Sequence, residues 1–324
     1  MFGKRKGNRG YGIQILDQCA KIVEVERTTK SVRFLRQQEI ALEEEIVRGG
    51  KILSPQTVAS QIGQAVREMG ISGAEVTLTV PTSEIALRKT AFSKLKDKDM
   101  RNLIDVEIHA NNTFPFKNPV FDYIRLGKAE QEAAATSENG KKAAPQEDVL
   151  IIATSQEVVD NYREVLENAG LQPVAIDLAP LALQRILAYA KVSSAPAHVI
   201  IHCEHEYADI VIFEQGVPVF IRQVQQGASY MLDMTNDAME AYGRHLSIEL
   251  GRILNYYKYS ISAEQKDVEQ LFLSARYSWM EPLRSQLQSS FNGRIDDMPI
   301  RDLLKSDNDE LFHFAVPLGL AIKG

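Results

Sequence analysis

The chain has 324 residues, enough for two or more domains with sizeable cores. It is 44% hydrophobic and 25% charged with a formal net charge of −6, which argues against a general nucleic-acid binder, whose surface must neutralise phosphates. No apolar run approaches the ~20 residues of a membrane-spanning helix, and the opening MFGKRKGNRG lacks the apolar core of a signal peptide. Two cysteines, Cys19 and Cys203, are too few for a disulfide framework, so a cytoplasmic protein with reduced thiols is predicted.

Residues 1–10 carry Lys4, Arg5, Lys6 and Arg9 without an acid and are expected to form a basic tail. Such a tail is either simply solvated or drawn weakly to an anionic membrane face, at about 1 kcal/mol per basic residue near the surface. Residues 11–16, 22–25 and 31–42 are rich in β-branched and apolar side chains and are separated by polar breaks, the pattern of three consecutive antiparallel strands. Ser54-Pro55 then opens a helix, with serine expected to cap the free amides, proline suited to the first turn, and Val58, Ile62, Val66 and Met69 on one face until Gly70. Residues 74–80 alternate as a strand that Pro81 ends. From there the spacing predicts a strand over 82–92, a helix capped by Asp97, a Phe/Pro loop over 111–119 and a strand over 120–126. The Ala/Glu/Lys/Ser/Gly stretch 127–147 has no periodicity and is expected to be a mobile surface loop. A strand at 149–153, a helix capped by Ser155, a strand at 174–177 and a helix at 180–190 follow.

Residues 199–224, VIIHCEHEYADIVIFEQGVPVFIRQV, repeat the opening plan. Apolar runs at 199–203, 209–213 and 217–224 are joined by breaks at 204–207 and 214–216, and helical sequence follows over 236–260. A strand at 268–273, a helix at 278–290 and an apolar segment at 314–322 complete the chain. Two copies of one supersecondary plan predict a duplicated α/β architecture with a cleft between its halves. Cys19 and Cys203 sit in corresponding turns, so the two thiols are expected near each other across that cleft. His198, His202, Cys203 and His205 match no usual zinc spacing, and the plain reading of them is a strand face and a turn.

This organisation resembles the actin-like ATPase fold and, more narrowly, PilM-type type IV pilus assembly proteins, relatives of the cell-division protein FtsA. Residues 12–25 (GIQILDQCAKIVEV) lie on that family's first phosphate segment, which typically reads G-I-D-I-G-S-S-S-I-K-V-V-E-L. TVPTS at 79–83, Phe114-Pro115-Phe116 followed by Asp122, IELGRILNYY at 248–257 and Gly319-Leu320-Ala321 fall in the family's order. The resemblance implies a duplicated actin-like (ribonuclease H-like) α/β fold. Residues 11–81 and 174–198 form the first half, 82–173 a small inserted α/β domain and 199–324 the second half.

The same resemblance marks where nucleotide chemistry is missing. A phosphate loop needs glycine so that backbone amides approach the oxygens, and a carboxylate to hold the magnesium shell. The family's Asp falls on Gln14, its Gly on Leu16, and its Ser-Ser-Ser on Asp17, Gln18 and Cys19; Lys21 alone is retained. In the second segment D-I-G falls on His202, Cys203 and Glu204, and the glycine pair that flanks the adenosine falls on Ala275 and Arg276. Asp17 and Glu204 put negative charge where phosphates belong, whereas Glu249 and Arg252 match positions near the adenine and ribose. The implied cofactor is therefore none, ATP with magnesium included, and the implied role is that of a pseudo-ATPase. The resemblance implies a cytoplasmic scaffold, peripheral at the inner face of the cell membrane, that binds the tail of a PilN-like single-pass membrane protein in a groove beside the inserted domain. Phe114, Phe116 and Phe121 are the candidate contacts, and self-association is left open. The alternative reading is a working actin-like ATP-binding protein or ATPase.

Overall fold

A computed structural model describes residues 9–28, 31–111, 113–128, 146–225, 236–262 and 264–323. The first three strands are β1 (Arg9–Ile15), β2 (Cys19–Arg27) and β3 (Val32–Ala41), followed by the short pair β4 (Val47–Arg48) and β5 (Lys51–Ile52). Helix α1 (Pro55–Glu68) leads to β6 (Glu75–Thr79). The small unit contains β7 (Ala86–Ser93), α2 (Asp97–Ala110), β8 (Pro119–Lys128) and β9 (Gln146–Ser155), and α3 (Gln156–Asn168) leaves it. Strand β10 (Gln172–Asp177) and α4 (Ala179–Ala190) precede the second meander, β11 (Ala197–Cys203), β12 (Tyr207–Glu214) and β13 (Val217–Gln225). The remainder is α5 (Asn236–Tyr256), β14 (Gln270–Ser274), α6 (Tyr277–Leu287), β15 (Arg294–Asp297), α7 (Ile300–Leu304) and α8 (Ala315–Ile322).

The two five-stranded sheets have the same plan. Their orders are β3-β2-β1-β6-β10 and β13-β12-β11-β14-β15. In each, a meander of two antiparallel pairings is extended from its first strand by two parallel strands. The first hairpins are superimposable in register. Ile15 faces Ala20 and the Leu16 amide bonds to the Cys19 carbonyl; Cys203 faces Ala208 and the Glu204 amide bonds to the Tyr207 carbonyl, each at 2.8 Å. Position 14 therefore corresponds to 202, 16 to 204, 18 to 206 and 21 to 209. The β12–β13 hairpin has Gln215 and Gly216 both at positive φ, the twist a two-residue turn needs to match its strands.

One continuous core joins the two sheets, running from Val23 and Val25 through Leu183 and Ile186 to Ile201, Ile212, Leu246 and Phe272. Helix α8 is the tight layer in it. A Cβ on Gly12 would stand 2.0 Å from the Pro317 carbonyl oxygen, and one on Gly319 would stand 2.2 Å from that of Ala182, so glycine lets β1 and α4 each approach the helix backbone to backbone. Arg185 donates to the Gly319 carbonyl at 2.7 Å, and Arg27 reaches the Ala321 and Lys323 carbonyls at the end of the helix.

The chain divides into two compact units, 1–83 with 161–324 and 84–160, so the second boundary falls inside α3. The small unit is an antiparallel sheet, ordered β7-β9-β8, with α2 over it and its own core of Phe92, Met100, Ile104, Ile108, Phe114, Val149, Ile151 and Ala153.

Several local expectations need correction. The strand expected over 82–92 is a 3-10 turn at Thr82–Glu84 followed by β7, because the Thr82 side chain is buried and bonded rather than laid along a sheet. Asp97 is the first residue of α2 and not its cap; its carboxylate instead takes Arg125 at 2.8 Å. Ser54 stands at the start of α1, but its hydroxyl bonds to Thr57 Oγ1 at 2.9 Å. The long helix ends at Tyr256 in a π-helical turn, Tyr257–Ile261, where the Tyr257 hydroxyl donates to Glu214 at 2.5 Å. Arg9 is not a free tail charge: it opens β1 and pairs with buried Glu24 at 2.8 Å. Residues 1–8, and 129–145 of the expected mobile loop, lie outside the described residues.

Candidate functional site

The two matched hairpin turns and the strands that carry them meet between the halves of the larger unit. Lys21 on β2 extends its ammonium to Glu204 at the end of β11, with Nζ 2.8 Å from each carboxylate oxygen. The Lys21 side chain is fully buried and that of Glu204 is 5% exposed, so the pair is a desolvated bridge between residues 183 positions apart. Lys21 Nζ also stands 3.2 Å from Nδ1 of His313. Glu204 Oε1 accepts from His202 Nε2 at 3.1 Å, and His202 Nδ1 lies 2.9 Å from the Ser274 hydroxyl. Burial alone pushes the Glu204 carboxyl up, but the Lys21 ammonium and then the His202 hydrogen bond outweigh it and hold the group far below the usual carboxylate range. Burial, reinforced by Lys21, pushes the His313 imidazole down to about 4, so the ring is neutral and its Nδ1 can accept from Lys21. His313 Nε2 faces Glu39 Oε2 at 2.8 Å, and Arg276 stands beside both.

The reciprocal contact uses the corresponding position of the second half. Asp209 matches Lys21 in register, and it accepts from the Thr82 hydroxyl at 2.8 Å and from Gln223 Nε2 at 3.2 Å. Burial raises its carboxyl to about 6 against the pull of His202 and of these two donors. Each half thus sends one buried polar side chain from its second strand into the other half. In the turns themselves, the Asp17 carboxylate accepts the amides of Gly49 at 2.6 Å and Gly50 at 2.9 Å. Glu206 is 6% exposed, and burial, followed by the nearby Glu204 and Asp17, raises its carboxyl to about 7.

Two cavities flank this layer. A small one of about 20 Å³ is lined by Gln14, Asp17, Gly50, Thr82, Glu206 and Gln225 among others. A larger one of about 140 Å³ is lined by Gln18, Cys19, Glu39, Glu204, Arg276 and Trp279 among others, and Glu206 lines both. Gln14 is 2% exposed, and neither atom of its side-chain amide has a hydrogen-bond partner among the described residues.

The structure therefore gathers Gln14, Asp17, Lys21, His202, Glu204 and Arg276 around the two turns. Ala275 is buried at the end of β14. Glu249 and Arg252 are on α5, bonded to each other at 2.5 Å with Arg222 of β13 3.3 Å from Glu249. Phe114 belongs to the core of the small unit, where Phe116 and Phe121 are half-buried against it and the Arg101 guanidinium lies 5.0 Å over the Phe121 ring. His198 is a core residue stacked on Phe213 at 5.4 Å and bonded to Gln184 at 2.8 Å. Cys19 and Cys203 are free thiols, each pushed up to about 12 chiefly by burial. Sequence reasoning missed His313, Glu39, Glu206, Thr82 and Asp209. The available signal was the register match of Lys21 with Asp209, two charged residues of opposite sign at equivalent buried positions.

Twin sheets of identical order meeting at paired hairpin turns, with a small α/β unit inserted into the first half, define a duplicated actin-like fold. A structure described as the PilM-PilN type IV pilus biogenesis complex matches over 97% of this chain and 98% of that chain, with a TM-score of 0.76 and 21% identity. The ethanolamine utilization protein EutJ from Carboxydothermus hydrogenoformans matches over 100% and 93%, with a TM-score of 0.53 and 9% identity. No curated protein sequence matches the chain. The family model for type IV pilus assembly protein PilM matches residues 12–249, and the chain belongs to that family. Among the described residues no helix is long and apolar enough to cross a membrane.

Proposed function

We propose that the protein is a scaffold of the type IV pilus assembly machinery that holds the cytoplasmic tail of a PilN-like single-pass inner-membrane protein and does no ATP chemistry. The observation that carries the second part is the buried Lys21–Glu204 bridge. A triphosphate needs amide and hydroxyl donors at the turns, a lysine free to meet it and an acid for magnesium. Here the lysine is engaged at 2.8 Å by a carboxylate, the first turn presents the Asp17 carboxylate, which accepts the Gly49 and Gly50 amides, and the magnesium-holding position is the neutral Gln14. An entering phosphate would have to displace Glu204 from Lys21 and then lie beside it, a like-charge contact that costs several kcal/mol at reduced dielectric.

The first part rests on family membership and on the partner named in the description of the matching complex. An extended tail needs sheet edges or apolar pockets and no catalytic group. The half-buried rings of Phe116 and Phe121 in the small unit are the candidate contacts, with Phe114 supporting them from the core. Held by such a partner, the protein works at the inner face of the cell membrane. The test is retention of the partner's amino-terminal tail peptide on the immobilised full chain. Wild type should retain it, Phe116→Ala should retain at least tenfold less, and phosphate release from ATP should stay at the buffer blank. Failure of the wild type to retain the tail, or steady phosphate release, overturns the reading.

A further inference from the structure

The smaller cavity is lined by one buried side chain that finds no hydrogen-bond partner among the described residues and by a buried carboxyl. Gln14 is 2% exposed with both amide atoms unpartnered, and it lines the cavity. Glu206 is 6% exposed, and its carboxyl takes a hydrogen bond from its own backbone amide. Asp17 lines the same cavity with a carboxylate whose oxygens each accept one backbone amide and keep further lone pairs. The nearby cation, Lys21, is engaged by Glu204, so the field inside is negative. Buried polar groups without partners are exceptions that ask for an explanation, and a ligand supplying the missing donors is one.

We propose that this cavity, between the β1–β2 and β11–β12 turns, is a recognition site for a primary ammonium group. The inference deepens the scaffold reading by giving the chemistry of one contact with the partner's tail. Three points select this cation over others. A volume of about 20 Å³ takes one water-sized particle, which fits an ammonium head and excludes the planar, five-donor guanidinium. An ammonium has three N–H donors, and Gln14 Oε1, Asp17 and Glu206 are three acceptors lining the cavity. Magnesium keeps several of its waters and calcium takes six to eight oxygens, and a cavity of this size accommodates neither shell. The source also fits: cytoplasmic flanks of membrane-spanning helices are rich in lysine and arginine, and a short tail brings an amino terminus too. Glu206 is faced by Asp17, Glu204 and Lys21 and adjoined by His205 and Tyr207. With its carboxyl raised to about 7, it takes on charge as pH rises through neutrality, so the site strengthens from pH 6 to pH 8.

The test uses the full chain and methylammonium chloride, followed by backbone amide NMR shifts of the two turns. Saturable shifts are expected, tighter at pH 8 than at pH 6, with the dissociation constant raised at least tenfold in Glu206→Gln and in Gln14→Met. Guanidinium, tetramethylammonium, magnesium and calcium should each fail to compete. Absence of saturation, unchanged binding in folded Glu206→Gln, or equal competition by guanidinium or calcium overturns the proposal. A second arm compares retention of the partner's tail peptide unmodified, acetylated at its amino terminus, or acetylated at its lysines. At least tenfold loss in one acetylated form supports the site and identifies which amine enters it. Equal retention of all three overturns the site while the scaffold reading stands, whereas retention of none overturns both.

Discussion

Replacing Lys21 by methionine removes the ammonium from between the two oxygens of Glu204 while leaving a side chain of similar reach. The carboxyl is then 5% exposed with His202 Nε2 at 3.1 Å. It can stay ionised, and breaking a buried pair in that way costs about 3–5 kcal/mol. It can instead take a proton, and protonating a carboxyl of ordinary pKa 4.5 at pH 7 costs about 3 kcal/mol. Either route gives a loss of about 3 kcal/mol or more at pH 7, and the proton route makes the loss shrink as pH falls toward 5. Glu204→Gln in the same background removes the stranded charge and should restore at least half of the loss. Chemical denaturation of wild type, both single variants and the double variant at pH 7 and pH 5 forms the double-mutant cycle. A loss below about 1 kcal/mol in Lys21→Met, or a double variant no more stable than the single one, would refute the reasoning.

Glu206→Gln tests the strained carboxyl independently. An acid whose pKa rises from 4.5 in the unfolded chain to about 7 in the fold stabilises fully below 4.5 and loses that contribution as pH rises through 7. The variant's stability relative to wild type should therefore grow from near zero at pH 4.5 to about 3 kcal/mol at pH 8; a difference that does not change with pH refutes the assignment. Gly12→Ala puts a Cβ 2.0 Å from a backbone carbonyl of α8 that no side-chain rotation can move, and should destabilise by about 3 kcal/mol in thermal or denaturant unfolding. Gly63→Ala is the contrast: its nearest new contact is 3.4 Å, it lies within α1, and it should be neutral or stabilising by up to about 1 kcal/mol.

The duplicated architecture was legible because each meander alternates β-branched residues with polar breaks at one spacing, and that spacing fixes strand number and turn position. The parallel strands β6 and β14 were equally visible as apolar runs. Strand β15, RIDD, carries one apolar residue in four, and α7 spans five residues after a proline, so neither has a periodicity to detect. The departures from the family's phosphate-segment pattern could be read at Gln14, Asp17, His202 and Glu204, but the contacts these residues make could not. The Lys21–Glu204 bridge joins positions 183 apart, and sequence spacing holds no distance between them. The burial of Gln14 and Glu206 was hidden for the same reason: each stands on or beside a hairpin that looks solvent-facing until the second half closes over it. Among the three candidate phenylalanines, the Phe-Pro-Phe pattern could not separate the core ring of Phe114 from the half-buried rings of Phe116 and Phe121.

The proposed scaffold role uses the actin-like frame for the surfaces it presents, with the cleft bridged by Lys21 and Glu204. The most direct measurement is isothermal titration of the full chain with magnesium-ATP at neutral pH. An internally bridged cleft predicts no saturable heat up to millimolar nucleotide. A dissociation constant in the micromolar range would mean that Lys21 leaves Glu204 for phosphate and would contradict the account.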